Sequence, residues 1–152
     1  MYLVLAFLLG IAAGLRSFTP LAAVSWAAHL GALRVTGTPL AFMGARYVPI
    51  LLSICAIGEL IADKLPQVPS RKKPGPFIVR ILSGALTGST VGAALGSLPF
   101  GLIAGAVGAV IGTLGGAAAR ARMAAQFHKD LPAALIEDAV TIGISIAVVL
   151  AF

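Results

Sequence analysis

Apolar residues run in long blocks along the chain, and the polar breaks between them are short. A membrane-spanning helix needs about 20 mainly apolar residues, and five blocks meet that description. The first covers residues 2–30 and is interrupted by Arg16, Ser17, Phe18, Thr19 and Pro20. It is too long for one perpendicular span, so it predicts a strong tilt, a kink, or two half-helices broken near Pro20. The second block covers 47–65, the third 77–98, the fourth 100 to about 119, and the fifth 132–152. Only Pro99 separates the third from the fourth, which predicts a tight helical hairpin. The stretch 66–76, PQVPSRKKPGP, reads as a basic Pro-rich linker joining halves 1–70 and 77–152 of a single integral-membrane domain, 1–152. The predicted fold is all-α: a polytopic transmembrane helix bundle of about five segments.

The hairpin carries the most regular pattern. Gly84, Gly88, Gly92 and Gly96 recur on the third segment, and Gly101, Gly105, Gly108, Gly112 and Gly116 on the fourth. Spacings of three and four put each set on one helix face. Faces of small residues let backbones approach closely where water supplies no drive for association. The two stripes are expected to pack on each other; the alternative is a homo-oligomer contact.

Composition removes the soluble alternatives. The chain is 59% hydrophobic and 11% charged, with a mean hydropathy of +1.04. A soluble domain is nearer a quarter charged, and 152 residues cannot bury this much apolar side chain away from water. The net charge is +6, but the basic residues cluster between apolar blocks. Topology and anionic lipid headgroups explain them, and no aromatic-basic nucleic-acid signature occurs. Cys55 is the single cysteine, so no internal disulfide forms. The N-terminal apolar stretch lacks a basic leader and is read as retained rather than cleaved. Expected partners are the bilayer and anionic headgroups; no cofactor is expected and the metal question is open.

Lysines and arginines set orientation. Arg71, Lys72 and Lys73 in the linker, with Lys64 and Arg80 at its edges, and Arg120, Arg122 and Lys129 after the fourth segment, place those loops in the cytoplasm of a multi-pass protein of the cell inner membrane. If the first segment crosses, the N-terminus is cytoplasmic and the C-terminus outside. A first segment that folds back puts the N-terminus outside instead.

Charge inside a membrane span is costly and marks function by default. Arg16 lies about 15 residues into the first segment, near the midplane at ~1.5 Å per residue. Glu59 and Asp63 are four apart and project from one face. Glu137 and Asp138 are adjacent, about 100° apart on a helix, so one is expected to face the interior and the other a neighbour or the interface. Arg16, Glu59, Asp63, Arg120, Glu137 and Asp138 form the candidate substrate- or ion-binding set, and Arg16 is expected to bond at least one of the four acids. Ser17 and Thr19 would line a site if the helix unwinds there. His29 and His128 read as interfacial, Trp26 and Tyr47 as an aromatic belt. Ser83, Thr87, Ser89, Thr90 and Thr113 are expected to bond their own helix carbonyls. A weak likeness between the segments around Arg16 and Arg122, each followed by a helix with an acidic pair, fits an inverted repeat, in which the first and fourth segments run in opposite senses, as do the second and fifth.

GLRSFTPLAAV near the N-terminus, GELIADKLPQVPSRKKPGP after the second segment and LIEDAV in the last resemble a family of small bacterial integral-membrane proteins known as domain of unknown function 4126. Arg16, Glu59, Asp63, Lys64, Pro66, Glu137 and Asp138 carry the resemblance, which covers nearly the whole chain. It implies a polytopic membrane fold and no activity.

No GxSxG, Walker loop or HExxH occurs, so the leading reading is not an enzyme. It is a small transporter or channel for an ion or small solute, with Arg16 and the acids in its pathway. The second reading is a membrane enzyme or binding protein that takes lipid phosphate at the cytoplasmic face, its carboxylates holding Mg²⁺. The third is a structural or assembly protein.

Overall fold

A computed structural model describes residues 1–66 and 72–152; linker positions 67–71, including Ser70 and Arg71, lie outside the described residues. Among the described residues, six α-helices and one 3-10 turn make up the fold. They are α1 Tyr2–Leu15, α2 Phe18–His29, the turn Ala41–Gly44, α3 Val48–Ala62, α4 Pro74–Ala94, α5 Leu98–Phe127 and α6 Asp130–Val149. No strand occurs among the described residues. The helices α4, α5 and α6 are each long and apolar enough to cross a membrane, while α1 and α3 are shorter apolar helices.

The bundle is apolar outside and small or polar inside. Ile50, Ile54, Ile57, Leu82, Ile103 and Ile146 are all exposed. Arg16, Thr87, Thr90, Thr113, Thr141 and Ser145 are all buried. Water would invert that order; lipid accommodates it, because tails solvate large aliphatic side chains and leave polar groups to find partners inside.

The first block is two helices, broken at Arg16 and Ser17. Arg16 is extended, with φ −141° and ψ 119°. Pro20 lies within the first turn of α2, where its missing N–H removes no helical bond. The chain does not cross at this block. It folds back. Gly10 of α1 lies against Gly105 of α5 and Gly14 against Ala109 and Thr113, so α1 and α5 run parallel. Ser17 and Phe18 of α2 meet Glu59 of α3, Trp26 donates to Ser53, and His29 meets Gly44, so α2 runs back antiparallel to α3. Tyr2, Leu33, Arg34, Leu95 and Phe152 border one cavity. Both chain termini therefore lie at one end of the bundle, and α3 ends and α4 begins at the other, the linker end. Of the two alternatives for the first segment, crossing and fold-back, these helix directions match the fold-back. Hydropathy counts apolar residues and carries no sense of direction. Length agrees: α1 has 14 residues, about 21 Å, short of a hydrocarbon core of about 30 Å.

Of the two antiparallel pairings expected of an inverted repeat, that of the first and fourth segments is not met and that of the second and fifth is. α1 and α5 share a direction instead of opposing each other, while α3 runs toward the linker end and α6 away from it.

Glycines set how closely the helices meet. A Cβ on Gly88 would stand 2.8 Å from the Gly105 Cα, and one on Gly101 2.8 Å from the Gly92 Cα. The expected α4–α5 contact is therefore present for Gly84, Gly88, Gly92, Gly101 and Gly105. Gly108 and Gly112 instead meet Phe7, Gly10 and Ile11 of α1. One face of α5 is thus shared by two crossing partners. Gly96 belongs to no stripe. With φ +72°, it ends α4 in the left-handed conformation, and the Ser97 N–H returns to the Gly92 carbonyl at 2.7 Å.

The helix α5 continues to Phe127 instead of ending near Ala119. Residues 120–127, RARMAAQF, are good helix formers, and polarity alone does not stop a helix. His128 ends it with φ 53°.

Candidate functional site

The tip of the α1–α2 hairpin exposes a problem of backbone chemistry. The last carbonyls of α1 and the first amides of α2 lack helical partners, and they sit inside the bundle. Side chains from other helices supply them. The Arg80 guanidinium on α4 donates to the Gly14 carbonyl at 2.8 Å and the Leu15 carbonyl at 2.5 Å. Thr113 on α5 also donates to Gly14 at 3.2 Å. The Glu59 carboxylate on α3 accepts from the Ser17 amide at 2.8 Å and the Phe18 amide at 2.9 Å. Ser83 donates to the Ser17 carbonyl. A cation thus caps a helix C-terminus and an anion a helix N-terminus, each complementing the helix dipole. Arg80 and Glu59 themselves stand 3.8 Å apart.

Arg16 sits at this tip with no exposed side-chain surface. Its Nε donates to Asp138 Oδ1 at 2.7 Å, and Nη2 lies 2.6 Å from the same oxygen. Its Nη1 donates to Asp63 Oδ2 at 2.5 Å, and Glu137 lies 3.7 Å away. Arg16 therefore bonds two of the four acids predicted for it. The bonds extend outward. Asp63 also pairs with Arg120; Asp138 also pairs with Lys64 at 2.6 Å; Arg120 reaches Glu137 at 3.4 Å and Asp130 at 2.5 Å. Exposure rises along the chain of pairs, from 0% at Arg16 through 15% at Arg120 to 59% at Asp130. The cluster is rooted in the bundle and opens at the linker end.

One expectation changes. Glu137 and Asp138 both enter the cluster, because cations flank α6 on two sides: Asp138 faces Arg16 and Lys64, and the longer Glu137 swings toward Arg120. Glu59 meets the tip backbone rather than Arg16. Arg122 is exposed and joins no ion pair among the described residues, in contrast to Arg120. Two residues were missed. Asp130 closes the outer end, so all five acidic residues of the chain belong to one cluster. Arg80 reads as a linker-edge topology charge; its place between Val79 and Ile81, inside the start of an apolar run, is the available sign. Ser83 also departs from expectation by bonding the tip rather than its own helix, whereas Thr87 and Thr90 bond back as expected.

These carboxylates face protein cations. Among the described residues no group of three or more His, Cys, Asp or Glu side chains converges as a metal site. Beside Glu137, a cavity of about 110 Å³ opens between Leu15, Gly116, Ala119, Ile136 and Val140. It is apolar and suits hydrocarbon.

Residues 3–151 match the family described as Domain of unknown function (DUF4126), and the chain belongs to that family. No curated protein and no solved structure matches it.

Proposed function

We propose that this chain is a small multi-pass protein of the cell inner membrane that moves an ion or small solute, with the hairpin-tip cluster as its gate. The observation that carries this reading is Arg16, fully buried at the break of a re-entrant hairpin and held by carboxylates from two other parts of the bundle. Broken helices that place charge at membrane depth are the means by which secondary transporters build their sites. The sharing of carboxylates adds a switch. Asp63 serves both Arg16 and Arg120, and Asp138 both Arg16 and Lys64. Neutralising or displacing either one weakens the hold on two cations together. A ligand that does so prefers the opened arrangement, which is all that a two-state gate requires.

Lys72, Lys73, Arg122 and Lys129 are exposed at the linker end. They would meet anionic headgroups on the cytoplasmic face. A structural or assembly role is the competing reading, and the density of ion pairs favours it.

Flux separates the two. Purified protein in proteoliposomes, under a potassium diffusion potential with a pH-sensitive dye inside, is expected to pass protons faster than empty vesicles. Asp63→Asn should abolish the excess, and Arg34→Gln should leave it. Proton, sodium, potassium and chloride fluxes all equal to those of empty vesicles would overturn transport and leave the structural role.

A further inference from the structure

Buried threonines on α4, α5 and α6 follow one habit. Thr87, Thr90, Thr113 and Thr141 each donate to the carbonyl four residues earlier. Ser145 is 1% exposed and does not. Its Oγ makes no hydrogen bond to Thr141 or to any other described residue. Burial denies the Ser145 hydroxyl bulk solvent, and buried polar groups nearly always hold a partner, which is protein or water.

The position of Ser145 gives that partner a context. It stands seven residues from Asp138, two turns along the helix and within about 20° of the same direction. Thr141, buried and between them, shares that face. A second buried hydroxyl without a hydrogen-bond partner, Thr19 Oγ1, lies in the first turn of α2, three residues past Arg16. The helices α2 and α6 pack against each other. Both orphan hydroxyls thus belong to elements that meet along one seam, and the Arg16–Asp138 pair closes its inner end.

We infer that the α2–α6 seam holds internal water, hydrogen-bonded by Ser145 and Thr19, and that this water carries protons between Asp138 and the end of the bundle with both termini. A water needs two to four polar partners, and the two hydroxyls and the Asp138 carboxylate are of that kind. The step at Asp138 is a proton transfer. An O–H bond of a hydronium breaks, the proton adds to a carboxylate oxygen, and water remains. The neutral acid then no longer offsets Arg16 at the tip or Lys64 beyond α3, the charged groups that face it, with Glu137 beside it and Asp63 and Arg120 one pair further out. The water site rests on hydroxyl geometry alone; its use as a proton path rests on the transport reading.

Thiol chemistry tests the site apart from transport. In a Cys55→Ser background, Ser145→Cys and Thr87→Cys replace two buried hydroxyls, one in the seam and one bonded to its own helix. In proteoliposomes, silver ion carried by water should modify Ser145→Cys roughly tenfold faster or more, since a thiol reacts only where it can ionise and be reached. Equal, slow reaction at both positions would overturn the water site. Ser145→Ala should then slow proton flux severalfold, and unchanged flux would overturn the path. Fast reaction at Ser145→Cys with no flux in the parent protein would keep the site and overturn its transport use.

Discussion

Arg16→Gln is expected to destabilise the protein by about 3 kcal/mol, and Asp138→Asn on top of it to restore part of the loss. Breaking one side of a buried pair costs about 3–5 kcal/mol because the remaining charge is left without a counter-ion. The low end applies here. Without Arg16, Asp138 keeps Lys64 and Asp63 keeps Arg120. Lys64 is the more exposed and flexible of the two partners, so Asp138 loses more when Arg16 goes, and its amide should give the larger rescue. Asp130→Asn should give none, because that carboxylate is mostly exposed and does not touch Arg16. Unfolding in detergent, followed by thermal melting of the four combinations, reads the coupling. Strict additivity with both Asp63→Asn and Asp138→Asn would place the compensation of Arg16 outside the protein's own acids.

The second large effect concerns a single methyl group. Gly105→Ala should cost about 1–3 kcal/mol by overpacking, at the upper end, because what it meets is backbone. A Cβ there would stand 2.9 Å from the Gly88 Cα and closer still to the Gly84 carbonyl oxygen. Backbone cannot rotate aside, so α4 and α5 must separate, and α1 on the same face of α5 must follow. Gly115→Ala is the matched control. Nothing lies within 4 Å of its added Cβ, so helix propensity alone acts and stability should rise by up to about 1 kcal/mol. Melting temperatures that move together for the two variants would show that these glycines do not set helix distance.

What could be read from the sequence follows from the kind of information each feature needs. A lone arginine in an apolar run demands a counter-charge, and only a few acids exist, so a bond from Arg16 to at least one of the four was legible, while the choice of Asp63 and Asp138 was not. The break between α1 and α2 was legible from the same interruption. The direction of α2 was not, because an apolar block looks the same whether it crosses or returns. Arg80 was hidden by position: next to a basic linker it reads as topology, and its role depends on helix ends that exist only once the first block folds back. The glycine face of α5 was correctly read as one face, but periodicity cannot say that α4 covers half of it and α1 the rest. Asp130 escaped because it sits in a polar segment where charge costs nothing, and its link to Arg120 depends on α5 and α6 meeting at that end.

The fold-back of α1 and α2 is the claim on which the site depends, and sidedness tests it directly. Single cysteines at Tyr2, Lys72 and Leu150, in a Cys55→Ser background, occupy exposed positions at the two ends of the bundle. An impermeant maleimide applied to intact cells should label Tyr2→Cys and Leu150→Cys and leave Lys72→Cys untouched until the membrane is opened. Labelling of Leu150→Cys alone, with Tyr2→Cys protected alongside Lys72→Cys, would mean that the first segment crosses the membrane and that no hairpin tip exists at Arg16.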